Sequence, residues 1–459
     1  MRPRIPGTVL VFTYRRLNRF FHALAERVFE GTKLYCSSRR GVEPICLYDE
    51  FYRFYRRLSP PHVFLSQEDY VQIITRCRVL RFLPWDRAVH MVDAMYAVID
   101  ELTDRVRPEY LLGVMVDCFI NDLLVRICRG KGAQVVMLCA GSFPNTILVT
   151  AYGEFNHVRT PPSDEIQNAV RQLADDAGVM TYGRRVRPYS LATHLQNFAT
   201  WWAKCAYFRA AARVSKDPLN FWYLLRTMPC VDGHSCLANY RCWRYFEPDW
   251  RSRILRADRP TLFIPLSHTP EASTDYWLRD LRYVAYEAFI LDAVKTLSKS
   301  FQLVIKEHWS VLGQRDWRWY EQLKSSSDAV LVPPEVPSRQ VMGLVDHVMV
   351  GAGTTGPEAA IRGKKVVTLD RPYYYLDGYY LDLQSADNLP HLPRLLAAFR
   401  PPPATPDNQA EIVERMLQAT LVGSLIPDSF LNSEENVDAA SASLRRYLDK
   451  QGKSRSQAA

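Results

Sequence analysis

Three short runs in the second half of the chain combine residue types that can meet a phosphate. Lys306-Glu307-His308 sets a cation beside an imidazole, so Lys306 could neutralise a phosphate and His308 could donate a hydrogen bond to it. Gly351-Ala-Gly353-Thr354-Thr355-Gly356-Pro357-Glu358 is a turn of small residues that lets backbone approach a ligand, and Pro357 suits the first turn of a helix. Free N–H groups at such a turn favour an anion, and Glu358, one turn further, could accept from ribose hydroxyls. The plainer reading of the same run is an ordinary strand-to-helix turn with a solvated glutamate. His268, Glu271 and Ser273 form a third polar loop. For deprotonating a hydroxyl the candidates are Asp117 and Glu154. Asp117 could equally cap a helix beginning at Cys118. His22, His157 and His347 fit no pattern. Cys230, Cys236 and Cys242, with five residues in each gap, do not have zinc-ligand spacing. Buried reduced thiols and no metal site are expected.

These residues need strands to carry them. Apolar, β-branched runs at 261–265, 302–306, 329–332, 347–350 and 365–369 alternate with helical periodicity at 277–298, 316–324, 338–344 and 356–362. That is a doubly wound parallel sheet, and its ligand crevice lies beyond the carboxyl ends of the strands. The three polar runs all begin at such ends. A similar alternation runs through strands at 8–13, 33–36, 110–116 and 134–139, with helices at 15–29, 85–106 and 118–129. Asp117 then follows the third of those strands, and Glu154 lies in a loop beyond the last. Between the two sheets, 160–260 has mainly helical period and is dense in Trp, Tyr, Phe and Arg. It reads first as packing against the domains and second as a basic aromatic surface for a membrane interface.

The fold class is therefore α/β, with two Rossmann-like domains. We divide the chain into 1–159, an acceptor-side domain; 160–260, a connecting segment; 261–400, a nucleotide-binding domain; 401–450, a linker and helices; and 451–459, a disordered tail. The composition agrees, since 459 residues with 47% hydrophobic and 23% charged exclude collagenous, low-complexity and wholly disordered classes. Lys and Arg number 58 against 49 acids, a net +9 spread along the chain, which fits nucleotides, acidic glycans or anionic lipid as well as nucleic acid. The apolar stretch 110–140 is broken by Asp117, Asn121, Asp122, Arg126, Arg129 and Lys131 and cannot span a bilayer, and no secretion signal is visible.

The order Ser-His268-Thr-Pro-Glu271-Ala-Ser273, then Val-Ile-Lys306-Glu-His308, then Gly353-Thr-Thr-Gly356-Pro-Glu358-Ala-Ala-Ile-Arg-Gly-Lys-Lys-Val-Val resembles the C-terminal half of bacterial capsule polysaccharide biosynthesis proteins. These are glycosyltransferases of GT-B architecture, a group that includes β-Kdo transferases. The resemblance is clearest over 261–375 and extends weakly to 110–159. It departs at Trp309, where proline is usual, and at Lys365 in Gly363-Lys-Lys. It implies two domains facing a central cleft and metal-independent transfer of a sugar to a surface or capsular polysaccharide. The donor, CMP- or UDP-linked, is a substrate rather than a cofactor, and Kdo is the favoured sugar. Lys306 and His308 would meet its phosphate, 353–356 would form its loop, and Glu358 would hold the ribose. The implied partners are a nucleotide sugar and a glycan or lipid-linked glycan, without nucleic acid. The implied location is cytoplasmic, at the cytoplasmic face of the inner membrane if the aromatic segment binds lipid. The competing readings are a nucleotide-sugar 2-epimerase of the same architecture and a catalytically silent polysaccharide-assembly protein.

Overall fold

A computed structural model describes residues 4–57, 64–174, 191–215, single residues between 219 and 225, 236–308 and 311–458. Cys230 and Trp309 lie outside the described residues. The strands are β1 (Val9–Phe12), β2 (Lys33–Ser37), β3 (Ile45–Cys46), β4 (Tyr110–Val114), β5 (Gln134–Ala140), β6 (Thr146–Val149), β7 (Thr261–Pro265), β8 (Gln302–Lys306), β9 (Val330–Val332), β10 (His347–Val350), β11 (Lys365–Thr368), β12 (Tyr380–Asp382) and β13 (Thr420–Val422). They form two sheets, ordered β13-β6-β5-β4-β1-β2-β3 and β12-β11-β10-β7-β8-β9.

Every pairing in the second sheet is parallel. In the first, only the β6 pairings with β5 and β13 are antiparallel. Each sheet is buried on both faces, which is why its central strands are unbroken apolar runs. In the first sheet, Leu10 and Phe12 join the core under the helices Trp85–Val106 and Phe119–Gly130, whereas Val9 and Val11 join the core under Asn18–Val28. In the second, Phe263 and Val304 face one layer, and Leu262, Ile264, Leu303 and Ile305 face the helix Tyr286–Leu297 on the other. The chain is thus a pair of doubly wound α/β domains of the expected GT-B-like class.

Strand order reverses direction at β1 and at β7. β1 is flanked by β2 and β4, and β7 by β8 and β10. The loops after β1 and β4, and those after β7 and β10, therefore part around a crevice, the place where ligands bind in such sheets.

Several expectations need correction. In place of one helix over 277–298 the chain forms a 3-10 turn Leu281–Val284 and then the helix Tyr286–Leu297, with a separate short helix Ala272–Asp275 ahead of them. Asp280 interrupts the expected helix by accepting hydrogen bonds from the backbone of Arg282 and Ala386. The tail expected to be disordered from 451 continues the helix Glu434–Ala458. That helix is anchored upstream through Leu444, Tyr447 and Leu448 against Phe20 and Leu24. The 401–450 stretch does more than link, because β13 pairs with β6 and so completes the first sheet.

Candidate active site at the domain junction

β7 and β8 end level with each other, Pro265 opposite Lys306, and Leu266 N–H donates to the Lys306 carbonyl at 2.9 Å. The loops carrying His268 and His308 consequently start side by side. Their rings meet edge to face with centroids 5.6 Å apart. Burial first, then His268, Lys306 and Arg315, push the His308 imidazole down to about 3. Burial also lowers His268, against the pull of Glu271, and its Nδ1 is buried with no hydrogen-bond partner. Both rings are thereby held in the neutral form at pH 7, in which each carries one N–H.

Lys306 is 7% exposed, and its ammonium touches the Glu307 carbonyl at 3.3 Å. Burial pushes it down to about 8, with Glu307 and Glu335 opposing. It is therefore a cation at pH 7 that has shed most of its water. Glu271, exposed at the head of the Ala272–Asp275 turn, accepts from Ser273 Oγ at 2.7 Å.

The glycine loop serves two ends. A side chain at Gly353 would meet nothing within 4 Å, so that position is open to a ligand. At Gly356 a Cβ would sit 2.8 Å from the Tyr374 hydroxyl, which itself donates to the Gly353 carbonyl at 3.0 Å. Gly356 is thus required by packing inside the protein. Thr355 opens the helix Thr355–Ala360, only six residues long. Glu358 is neither solvated nor open. It is buried against Arg339 at 3.3 Å and bonded by Thr354, and burial raises its carboxyl despite the Arg339 charge. Arg339 Nη1 is buried beside it without a partner.

On the first domain, Asp117 sits at the β1/β4 crevice, where Tyr14 Oη donates to its Oδ1 at 2.8 Å. It does not cap the following helix. Cys118 is the cap, and Asn121 reaches back to the Cys118 N–H at 3.0 Å. Glu154 is surrounded by donors: Ala151 N–H at 3.0 Å, Tyr152 N–H at 2.6 Å and Thr150 Oγ1 at 2.9 Å. Burial alone would raise it, but the backbone and hydroxyl donors outweigh burial and hold it below the usual carboxylate range. His22 is paired with Glu43 at 2.8 Å and stacked on Tyr35.

Glu154 also lines a cavity of about 400 Å³ between the domains, whose walls include Arg76, Arg126 and Arg129 from the first and Arg279, Arg371 and Asp370 from the second. Trp277 forms part of the wall and lies over Gly153, where a Cβ would come within 2.5 Å of the indole. Gly153 has φ +83°, so glycine suits both the backbone and the contact. The sequence reading missed all five arginines. They are spread from 76 to 371, and only the fold brings them together.

A family model described as capsule polysaccharide biosynthesis protein matches residues 285–398, which bears out the resemblance over β8, the glycine loop and β11. No curated protein matches the chain. Among solved structures, a KpsC β-Kdo 2,7 transferase of Thermosulfurimonas dismutans is 14% identical with a TM-score of 0.39, over 95% of this chain and 98% of that one. A β-Kdo 2,4 transferase of the same organism is 12% identical with a TM-score of 0.30, over 67% and 79%. A UDP-GlcNAc 2-epimerase from Neisseria meningitidis, bound to UDP-GlcNAc, is 10% identical with a TM-score of 0.25, over 97% and 100%. Likeness at this level does not say what this chain acts on.

Proposed function

We propose, taking the capsule-biosynthesis match as premise, that this chain is a metal-independent GT-B glycosyltransferase that passes a sugar from a nucleotide donor to a surface or capsular glycan. The observation that carries the reading is the convergence of His268, Lys306, His308 and the open Gly353 loop at one sheet edge. An ammonium and two neutral imidazoles form a donor set matched to a phosphate.

Asp117 takes the acceptor hydroxyl proton as the new C–O bond forms. The bond from the sugar to the phosphate breaks, and its electron pair leaves with the nucleotide. Lys306 and the imidazole N–H groups stabilise the charge that grows on the departing phosphate. Glu154, already filled by donors, is the poorer base and instead shapes the acceptor cavity. The arginines there suit an acceptor that carries acidic groups. Lys306 supplies the charge that a divalent cation would otherwise bring, so transfer proceeds without one. The chain works in the cytoplasm, against the inner face of the membrane where a lipid-linked acceptor would be presented.

The test is incubation with a panel of CMP- and UDP-linked sugars, including CMP-Kdo, with and without acidic glycan acceptors and with chelator present. Acceptor-dependent transfer that survives chelator is expected. Sugar epimerised without an acceptor would replace this reading by the epimerase, and transfer restored only by magnesium would overturn the metal-free step.

A further inference from the structure

Arg315 precedes the helix Trp317–Ser326 and lies outside all three polar runs, yet it is 2% exposed and holds two of them. Its Nε meets Glu307 Oε2 at 2.8 Å. One terminal nitrogen donates to Thr269 Oγ1 at 2.8 Å and to Glu287 at 3.1 Å, and the other to the Ser267 carbonyl at 2.7 Å. The guanidinium is sandwiched between the rings of Tyr286 and Trp319. Glu307 continues the chain of contacts, accepting from the His308 N–H at 2.7 Å through its other oxygen and from Tyr320 Oη at 2.5 Å.

Ser267 and Thr269 flank His268, and Glu307 precedes His308. A single planar cation thus holds the residues on both sides of His268, through the Ser267 carbonyl and the Thr269 hydroxyl, and the residue before His308, through the Glu307 carboxylate. A lysine has the charge but lacks the fixed fork that reaches Glu307, Thr269 and Ser267 together. We infer that Arg315 is a positioning residue of the donor site, a clamp that holds the loops after β7 and β8 at the separation where His268 and His308 can meet one phosphate. This rests on the donor-site reading above.

Binding of CMP and UDP is followed by calorimetry from pH 5 to 8, with ring NMR of the two histidines and a melting curve, for the parent, Arg315→Lys and Arg315→Met. A third variant, Arg315→Met with Glu307→Gln, removes both charges together and so avoids leaving Glu307 buried alone. Small displacements of positioned groups cost up to about a hundredfold, so Arg315→Met and the double variant should each lose about ten- to a hundredfold in nucleotide affinity, and Arg315→Lys less. The charges facing His268 are Glu271, Glu307, Arg78 and Arg315, and those facing His308 are His268, Lys306 and Arg315. Removing the Arg315 cation leaves Glu271 and Glu307 less opposed, so His268 in Arg315→Met should titrate at higher pH, with Arg315→Lys restoring it towards the parent.

A purely structural role would lower the melting temperature alone. Parental affinity and unmoved histidine titration in folded variants overturn the clamp while leaving the donor site standing. A parent that binds neither CMP nor UDP overturns the donor site and the clamp with it.

Discussion

Lys306 has given up most of its water at the end of β8, and this makes its charge sensitive to pH where an exposed lysine's is not. Its ammonium is held near 8, below the ordinary lysine value of 10.5, because burial disfavours the charged form. The proton is present at pH 7 and is lost as pH rises through 8, and with it the charge that the proposed donor site would set against a phosphate. The pH profile of kcat/KM, which reports the free enzyme, should therefore show an alkaline limb near 8. Lys306→Arg should move that limb beyond the measurable range, and a limb unchanged in the variant would assign it to another group. Lys306, His308 and His268 were legible in the sequence because polar residues directly after apolar strand runs fall at a sheet edge. The surroundings of Glu358 were not, since Arg339, which covers it, stands 19 positions earlier on the separate helix Ser338–Met342. Nor could the sequence tell that Gly356 answers to Tyr374 while Gly353 faces open space.

Among the elements, the helix Leu191–Val214 contains no Asp or Glu, carries Lys204, Arg209 and Arg213, and leaves Tyr207 62% and Val214 85% exposed. Apolar and aromatic groups beside basic residues suit an anionic lipid surface, each basic residue there adding about 1 kcal/mol. The protein should float with vesicles containing anionic lipid and not with neutral ones, and Lys204, Arg209 and Arg213 changed together to glutamine should abolish it. Flotation unaffected by that change would leave the helix as packing. No helix among the described residues is long and apolar enough to cross a membrane. Strands β7, β8 and β10 were legible to the residue, because parallel strands buried on both faces are continuous apolar runs. β6 and β13 were missed, being short and antiparallel, β13 at the sheet edge and β6 next to it, where the apolar signal is brief. The run 277–298 kept helical spacing across Asp280, and spacing alone does not register that a side chain has taken over a backbone hydrogen bond.

Over the whole molecule, one buried carboxylate carries an ion-paired joint between the two domains, beside contacts such as that of Ser142 with Tyr373. Asp275 of the second domain is buried between Arg78 at 2.7 Å and Arg81 at 2.9 Å of the first, while Arg76 donates to the carbonyls of Asp275, Leu278 and Arg279. Replacing one member of a buried ion pair costs about 3–5 kcal/mol, so Asp275→Ala should destabilise the junction by about 3 kcal/mol. Calorimetry should then resolve two melting transitions where the parent shows one, and a single unshifted transition would mean that other contacts join the domains. Two domains of this class were legible from the repeated alternation of strands and helices. That the first is finished by the end of the chain was not, because β13 is three residues of ordinary composition. Its pairing with β6 has a consequence for biosynthesis. A ribosome makes the whole second sheet before it makes the strand that closes the first. In that interval β6 offers an unpaired edge, the kind of surface that recruits wrong partners in a nascent chain. The half of the protein that emerges first must wait for the last forty residues before it can fold to completion, about the span of β13 and the helix after it.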